Sequence, residues 1–276
     1  MVIVSRYTVF GNPIAQSKSP LIHHMFAQQA GLKIIYERTL ATEQDFISSL
    51  STFFVDADAQ GCNVTSPFKE QVAKWVNELS AGAKIAGAVN TVIKKEDGTF
   101  LGETTDGKGL VQDLLRLNIQ IKGARILLLG AGGAARGVLQ SILALEPKLL
   151  MVANRTQAKA KQLALLLPQD NFVGIGLNQL NEVQQPFDLI INSTSASLTG
   201  ELPSIPDSVI SSCACIYDMS YADKPTVFLQ HAQKLGVLNT FDGLGMLVGQ
   251  AAESFYLWTG YRPDVLPVIQ KLRSTL

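Results

Sequence analysis

The chain has 276 residues, of which 47% are hydrophobic and 17% are charged, as expected for a compact soluble protein with room for two α/β domains. Lys plus Arg and Asp plus Glu number 23 each, which excludes the strongly basic surface that attracts nucleic acid or an anionic membrane. We therefore expect the partners of this protein to be small molecules.

The cysteines and the N-terminal residues bear on cellular location. Cys62, Cys213 and Cys215 are odd in number and lack metal-ligand spacing, as is typical of proteins in a reducing compartment. The three histidines form no ligand cluster in the sequence either, so we expect no metal site. Residues 1–6 lack the parts of a signal peptide, and no apolar run approaches the roughly 18 residues of a membrane span. We expect a cytoplasmic protein, monomeric or homodimeric.

The first part of the chain alternates between strand-like and helix-like segments. The predicted strands are residues 7–11, 34–40, 61–64, 88–93 and 100–103. The predicted helices are residues 20–30, 43–53 and 67–79. Such alternation predicts an open, mostly parallel α/β sheet covered by helices, and Glu96-Asp97-Gly98 is a turn sequence that predicts a hairpin between the last two strands.

The second part continues the alternation after a predicted helix at residues 107–118. The predicted strands are residues 125–129, 148–153, 172–175, 187–192, 215–219 and 237–241. The further predicted helices include the amphipathic stretch 138–145 and cover residues 157–167, 244–259 and 264–272. We predict a substrate-binding and catalytic domain in residues 1–105 and a Rossmann-type domain in residues 106–245. The closing helices, in residues 246–276, are expected to pack back on the first domain.

A glycine-rich turn joins the predicted strand 125–129 to the helix that follows. Its residues are Gly130, Ala131, Gly132, Gly133 and Ala134. Glycines let the backbone approach a pyrophosphate, and the N–H groups at the start of a helix attract its negative charge. The pattern alone is a weak signal, but the next strand completes a βαβ unit. The sequence therefore predicts a dinucleotide site.

The end of that next strand bears on which dinucleotide binds. Asn154, Arg155 and Thr156 stand where an NAD-binding unit usually has an acidic residue for the ribose, and Lys159 follows. Two cations without a carboxylate favour a 2′-phosphate and hence NADP. The alternative is that Thr156 caps the following helix and that both cations are solvated surface charges.

A nicotinamide enzyme needs a proton donor beside the reacting carbon, and Lys69 is the best candidate. It follows a buried strand and the residues Asn63 and Thr65, at the end where open α/β sheets bind ligands, with Pro67 expected in the first helical turn. The alternative for Lys69 is a solvated charge. His23 and His24 lie among apolar residues, so we interpret them as surface or core-packing residues and not as catalytic ones.

Two further clusters have both a structural and a functional interpretation. Pro20 makes Ser19 a natural helix cap, but Ser17 and Ser19 together also describe a site for a substrate carboxylate at a helix N-terminus. Asp106, in Thr104-Thr105-Asp106-Gly107, is explained by capping the helix that follows. The residues alone leave these alternatives open.

These clusters belong to a series of motifs that runs along nearly the whole chain. The motifs are residues 11–14, 17–20, 63–69, 87–91, 105–107, 130–133, 154–156, 217–219 with Tyr221, and 242–247 leading to Gln250. In this order they resemble the shikimate dehydrogenase family. The resemblance implies an oxidoreductase that reduces 3-dehydroshikimate to shikimate with NADPH, on the route to chorismate and the aromatic amino acids.

The resemblance also implies a role for each site residue. Lys69 and Asp106 would form the catalytic pair, with Lys69 as general acid in reduction and general base in oxidation. Ser17 and Ser19 would hold the substrate carboxylate. Met219 and Gly243 would border the nicotinamide. The residues that would address the ring hydroxyls are Thr65, Asn90, Asp106, Tyr221 and Gln250.

The chain departs from the family pattern at two positions. Thr104 stands where the family usually has Asn, next to the loop that carries Asp106, and Lys159 stands where it often has Arg. A lysine offers the 2′-phosphate a point charge instead of a bidentate fork, so discrimination against NAD is expected to be softer.

Two alternatives to an NADP-dependent shikimate dehydrogenase share these motifs. A quinate/shikimate dehydrogenase accepts one more ring hydroxyl and often uses NAD, against which Asn154 and Arg155 argue. A sensor that binds shikimate or nucleotide without turnover would not need both Lys69 and Asp106.

Overall fold

The computed structural model describes residues 4–196 and 200–275, which divide into two compact units. Unit 1 comprises the described residues of Met1–Gly109 and Val248–Lys271, and unit 2 comprises those of Leu110–Leu247 and Leu272–Leu276. The start of the chain, residues 1–3, on which the expected lack of a leader partly rests, lies outside the described residues. The assignment of substrate to one unit and cofactor to the other stays a prediction.

Unit 1 contains a six-stranded sheet. Its strands are β1 (Ser5–Gly11), β2 (Ile34–Leu40), β3 (Ala59–Val64), β4 (Glu78–Leu79), β5 (Thr91–Lys94) and β6 (Phe100–Glu103). They lie in the order β2-β1-β3-β5-β6-β4. β1 pairs in parallel with β2 and β3, whereas β5 pairs antiparallel with β3 and β6. The predicted hairpin between β5 and β6 is confirmed.

The helices of unit 1 correct one predicted element. They are α1 (Ser19–Ala30), α2 (Phe46–Phe53), α3 (Lys69–Trp75) and α4 (Ala81–Ala86). The predicted helix at residues 67–79 is too long at both ends. Pro67 lies in a turn closed by the N–H of Phe68 on Thr65 O, before α3 begins. At the other end the N–H of Asn77 donates to Phe100 O, so β4 joins the sheet edge beside β6.

The closing helices are α10 (Leu244–Thr259) and α11 (Leu266–Arg273), and the part from Val248 to Lys271 belongs to unit 1. Trp258 stacks on Tyr7 of β1 with 4.6 Å between ring centroids, and its indole N–H donates to Val92 O at 3.0 Å. A Cβ at Gly61 would collide with this indole, which explains the glycine in β3. These contacts place Trp258 against the sheet of unit 1, while the assignment of residues 246–276 to the substrate domain stays a prediction.

Unit 2 contains a six-stranded sheet in which every pairing is parallel. Its strands are β7 (Arg125–Leu129), β8 (Leu149–Asn154), β9 (Phe172–Gly176), β10 (Leu189–Asn192), β11 (Cys215–Asp218) and β12 (Asn239–Asp242). The order β12-β11-β10-β7-β8-β9 reverses beside β7, where doubly wound sheets bind ligands. The predicted Rossmann-type architecture is confirmed.

The central strand of unit 2 shows why its sequence is continuously apolar. Ile126 and Leu128 face one core layer, while Leu127 and Leu129 face the other, because successive side chains of a strand point to opposite faces. The remaining helices within residues 4–196 and 200–275 are α5 (Asp106–Arg116), α6 (Gly133–Leu143), α7 (Gln157–Leu166), α8 (Asp207–Ser211) and α9 (Val227–Lys234), with a short 3₁₀ helix at Leu177–Glu182. In the described part of the chain, no helix is long and apolar enough to cross a membrane.

A histidine lies in the core of unit 1. His23 on α1 is fully buried and stacks on Tyr36 with ring centroids 4.3 Å apart and planes within 8°. Neither ring nitrogen has a hydrogen-bond partner among the described protein groups. Burial therefore lowers the pKa of His23 from 6.5 to about 3, with the nearby Asn63 opposing the shift. This environment agrees with the interpretation of His23 as a packing residue.

The low pKa of His23 predicts a pH-dependent stability. Between pH 6.5 and about 3 the unfolded chain binds a proton at this ring that the folded chain rejects. Stability from His23 is thus complete above pH 6.5 and falls as the pH is lowered, by at most about 1.4 kcal/mol per pH unit. We expect His23→Phe to flatten the pH dependence of the unfolding free energy, measured by urea denaturation. His24→Gln, at an exposed neighbour, is the control, and an unchanged slope in His23→Phe would contradict the prediction.

Candidate active site

An ion pair in unit 1 joins the two residues expected to carry the chemistry. Lys69 Nζ lies 2.6 Å from Asp106 Oδ2, with the two side chains 29% and 15% exposed. Lys69 is the first residue of α3 and Asp106 the first of α5. The interpretation of Asp106 as a helix cap is wrong, because the Thr105 carbonyl accepts the first helical hydrogen bond, from Gly109, and the Asp106 carboxylate is held elsewhere.

The side chain of Asn90 fixes the other oxygen of this carboxylate. Asn90 Oδ1 accepts from the backbone N–H of Thr105 at 2.9 Å, so its amide nitrogen must face the opposite way. That nitrogen donates to Asp106 Oδ1 at 2.8 Å and lies 3.3 Å from Gln250 Oε1. The structure thus brings together four predicted site residues, Lys69, Asp106, Asn90 and Gln250.

The end of β3 adds a buried polar residue and places Thr65. Asn63 is 6% exposed, and its Oδ1 accepts from the Tyr36 hydroxyl at 2.6 Å. Its amide nitrogen donates to Asn90 O at 3.1 Å. Thr65 follows β3 at the same end, where its N–H donates to Phe10 O, and its side chain is half-buried. The carboxyl end of β3 therefore lies beside Asn90, as its place in the sheet predicts.

Ser17 and Ser19 lie together at the start of α1. Their hydroxyl oxygens are 3.2 Å apart. The interpretation of Ser19 as the helix cap is wrong, because α1 begins at Ser19 itself, Lys18 occupies the cap position and no side chain makes a capping bond. Arg38 on β2 donates from Nε and Nη2 to the main-chain oxygen of Ser17, at 2.9 and 2.6 Å. This contact holds the loop that presents both hydroxyls.

The glycine-rich turn of unit 2 has the geometry that a phosphate group needs. Gly130 has a φ of +102°, which an L side chain rarely adopts, and its N–H donates to Ala153 O. Gly132 and Gly133 are exposed at the start of α6, and a Cβ on either would meet no atom within 4 Å. Both residues are exposed at the start of a helix, where the free N–H groups attract an anion, so the turn fits a dinucleotide pyrophosphate.

The residues after β8 fit a 2′-phosphate. Asn154 Nδ2 donates to Thr156 O at 3.0 Å, which shapes the loop. Arg155 and Lys159 are exposed, and neither forms an ion pair with any residue that the structure describes. Thr156 does occupy the cap position of α7, but its side chain makes no capping bond. Two exposed cations thus lie beside a loop that the Asn154 side chain shapes.

The residues predicted to border the nicotinamide are Met219, directly after β11, and Gly243, directly after β12, both in unit 2. Asp218 is fully buried and accepts hydrogen bonds from Thr226 Oγ1 at 2.6 Å and from the Ser220 N–H at 3.1 Å. A Cβ at Gly243 would collide with the Met219 carbonyl, which accounts for the glycine.

Tyr221 belongs to unit 2, whereas the other predicted substrate residues belong to unit 1. Burial raises the pKa of its phenol above the ordinary value, so the hydroxyl remains protonated at neutral pH. No group of three or more His, Cys, Asp or Glu side chains able to hold a metal ion occurs in the part of the chain described.

Sequence reasoning assigned no role to the buried hydroxyls around Asn90, although Thr91 and Thr105 lie in the motifs of residues 87–91 and 105–107. Thr91, Thr105 and Ser254 are each fully buried. Their signal in the sequence is a small polar residue beside apolar ones, as with Ser254 directly before Phe255 of α10. That pattern also occurs in ordinary helices, so it does not identify a site by itself.

The sequence matches three family descriptions that together span most of the chain. They are "Shikimate dehydrogenase substrate binding domain" over residues 9–92, "Shikimate / quinate 5-dehydrogenase" over residues 111–200 and "Shikimate 5'-dehydrogenase C-terminal domain" over residues 243–273.

Individual proteins are similar over the full length. The chain is 51% identical to a shikimate dehydrogenase (NADP(+)) of Vibrio atlanticus, over 99% of this chain and 98% of that relative. The crystal structure of an Ael1 enzyme from Pseudomonas putida matches with a TM-score of 0.93 and 38% identity, over 97% of this chain and 98% of that one. A shikimate 5-dehydrogenase of Thermus thermophilus in complex with NADP(H) and shikimate matches with a TM-score of 0.86 and 29% identity, over 99% of this chain and 100% of that one.

Proposed function

Because the chain belongs to the shikimate dehydrogenase family, we propose that it reduces 3-dehydroshikimate to shikimate reversibly with NADPH, using Lys69 and Asp106 as its catalytic pair. The chain is thus an NADP-dependent oxidoreductase of aromatic amino acid biosynthesis. The observation that carries the catalytic assignment is the 2.6 Å ion pair, with Asn90 and Gln250 beside it. The cytoplasmic location and the oligomeric state stay predictions.

The residues of unit 1 suit a ring that bears one carboxylate and several hydroxyls. Ser17 and Ser19 present two hydroxyls at the start of α1, where the helix dipole favours an anion. Thr65, Asn90, Asp106 and Gln250 would supply donors and acceptors for ring hydroxyls, and family membership implies the same role for Tyr221. Hydroxyl and amide groups can each donate or accept, which suits alcohol substrates.

The ion pair supplies the proton that the reduction needs. When bound, NADPH supplies the hydride that reaches the carbonyl carbon of the substrate. Lys69 Nζ donates its proton to the carbonyl oxygen, which becomes the hydroxyl of the product, and accepts that proton back in the oxidation. Asp106 Oδ2 holds the ammonium in place, while Asn90 holds Asp106 Oδ1. The Asp106 carboxylate thus has a hydrogen bond on each oxygen, and in this fixed position it orients the Lys69 ammonium, which is the general acid.

The residues of unit 2 fit NADP. The exposed backbone of Gly132 and Gly133, with Gly130, Ala131 and Ala134 around it, would hold the pyrophosphate. Arg155 and Lys159 would hold the 2′-phosphate, with Asn154 and Thr156 shaping the loop. Met219 and Gly243 would border the nicotinamide. These assignments rest on the family membership and on the open backbone of the turn.

The two alternatives differ in substrate and in turnover. A quinate/shikimate dehydrogenase would oxidise quinate and shikimate at comparable rates, and a sensor would oxidise neither. Absorbance of the reduced nicotinamide, followed with shikimate or quinate and with NADP or NAD, separates the three. The intact Lys69–Asp106 pair favours turnover.

We expect Lys69→Ala to lower kcat by roughly 10²–10⁴-fold with little change in the shikimate KM, since the ammonium acts mainly in the transition state. Steady-state kinetics with NADP and shikimate measure this. Lys74→Ala removes an exposed lysine from the same helix and should leave kcat unchanged. A folded Lys69→Ala protein with normal kcat would remove Lys69 from the mechanism.

Arg155→Leu is expected to raise the KM for NADP far more than the KM for NAD, since only NADP brings a 2′-phosphate to this loop. The measurement is a pair of KM values at saturating shikimate. Lys161→Leu, which removes another exposed cation from α7, is the matched control and should change neither value. Equal losses with both cofactors would show that Arg155 only supports the loop.

Ser17→Ala and Ser19→Ala are each expected to lower kcat/KM for shikimate. The fall should correspond to a loss of about 1.5–3 kcal/mol of transition-state stabilisation, the scale of a hydrogen bond to a charged group. The loss should shrink for the methyl ester of shikimate, which carries no charge. Because Ser19 makes no capping bond, its variant should lose less stability than Ser80→Ala, where the Ser80 side chain caps α4 and is worth about 1 kcal/mol. Comparable losses on acid and ester would contradict the carboxylate assignment.

A further inference from the structure

Ser254, which has no role in the assignments above, lies among the buried polar groups around Asn90. Ser254 is on α10, one helical turn after Gln250, and is 0% exposed, as are Thr91 and Thr105. A buried hydroxyl is costly unless it is hydrogen-bonded. The partners of Ser254 therefore indicate its role.

The Ser254 hydroxyl joins three other segments of the chain. It lies 2.7 Å from Thr91 Oγ1 on β5, 3.1 Å from Asn63 Nδ2 on β3 and 3.3 Å from Thr105 Oγ1 just before α5. It also donates to the main-chain oxygen of Gln250 at 3.0 Å. One oxygen atom thus links the helix that carries Gln250 to two strands and to the residue preceding Asp106.

Two of these partners hold the Asn90 side chain. Thr91 Oγ1 lies 3.0 Å from Asn90 Oδ1, and the Thr105 N–H donates to the same oxygen at 2.9 Å. The Thr105 hydroxyl lies 2.9 Å from Asn90 Nδ2 and 3.2 Å from Asn90 Oδ1. The nitrogen end of that amide donates to Asp106. A displacement of either threonine would therefore turn the Asn90 amide and change how it holds the carboxylate.

The third partner, Asn63, sets the direction of its own hydrogen bond to Ser254. The Tyr36 hydroxyl donates to Asn63 Oδ1, and burial raises the pKa of Tyr36 well above its ordinary value, so the phenol stays a donor. Asn63 must then present its amide nitrogen to Ser254, which accepts. Replacement of Ser254 by alanine would leave this buried N–H with one acceptor fewer.

We propose that Ser254 is a positioning residue of the reaction, which fixes through Thr91, Thr105 and Asn90 the orientation in which Asp106 meets Lys69. The inference rests on the proposed function, since it assigns Ser254 an effect on the chemistry of that ion pair. Ser254 acts through other residues and contributes no proton of its own.

The first experiment compares Ser254→Ala with Thr8→Val. Thr8 is also a buried hydroxyl of unit 1, 2.7 Å from Thr39 Oγ1, but it bonds to β2 and not to the polar groups around Asn90. We expect both variants to lower the urea midpoint similarly, whereas only Ser254→Ala lowers kcat, by about tenfold, with the NADP KM within about twofold. Equal kcat values in the two variants would overturn the proposal.

The second experiment places Ser254→Ala in an Asp106→Asn background. If Ser254 acts through Asp106, the double variant should keep the kcat of Asp106→Asn within about twofold. A further tenfold loss would overturn the route through Asp106. Failure of the proposed function has a different signature, because normal kcat in Lys69→Ala would discard the ion pair whatever Ser254→Ala shows.

Discussion

The hydrogen bond from the Thr105 backbone to Asn90 Oδ1 determines how the ion pair is held. A side-chain amide has one acceptor end and one donor end, so an N–H on the oxygen turns the nitrogen toward Asp106. The carboxylate then accepts from Asn90 on one oxygen and from Lys69 on the other. Thr105 directly precedes Asp106, so the residue that orients the amide also accepts, on its carbonyl, the first hydrogen bond of the helix on which the carboxylate lies.

The buried polar groups around this amide are costly in the core of a small domain, and their mutual satisfaction makes the arrangement rigid. Asn63, Thr91 and Ser254 all have partners at hydrogen-bond distance. A half-satisfied set would be less stable than an apolar core of the same shape. Under the proposed function, these residues serve to fix the Asp106 carboxylate and not only to stabilise the fold.

The fold could be predicted from the sequence wherever periodicity was strong. The predicted bounds of β2, β6, β7 and α10 agree with the structure, because each combines a clear apolar pattern with turn residues at its ends. β4 was missed because two residues carry no period, and its strand character comes from pairing with β6. Ser19 was assigned as a cap because Pro20 suggested the helix start, whereas the helix begins one residue earlier.

The candidate site, like the fold, could be predicted from the sequence only in part. Lys69 and the glycine-rich turn could be found from their places after predicted strands, since parallel sheets bind ligands at that edge. The contact between Asn90 and Asp106 could not, because it joins residues 16 positions apart through the antiparallel β5–β6 hairpin. The contact between Ser254 and Thr91 joins residues that are 163 positions apart, and only the packing of α10 on the sheet of unit 1 brings the two hydroxyls together. Sequence patterns locate groups that act at element ends, whereas the residues that orient them depend on tertiary contacts.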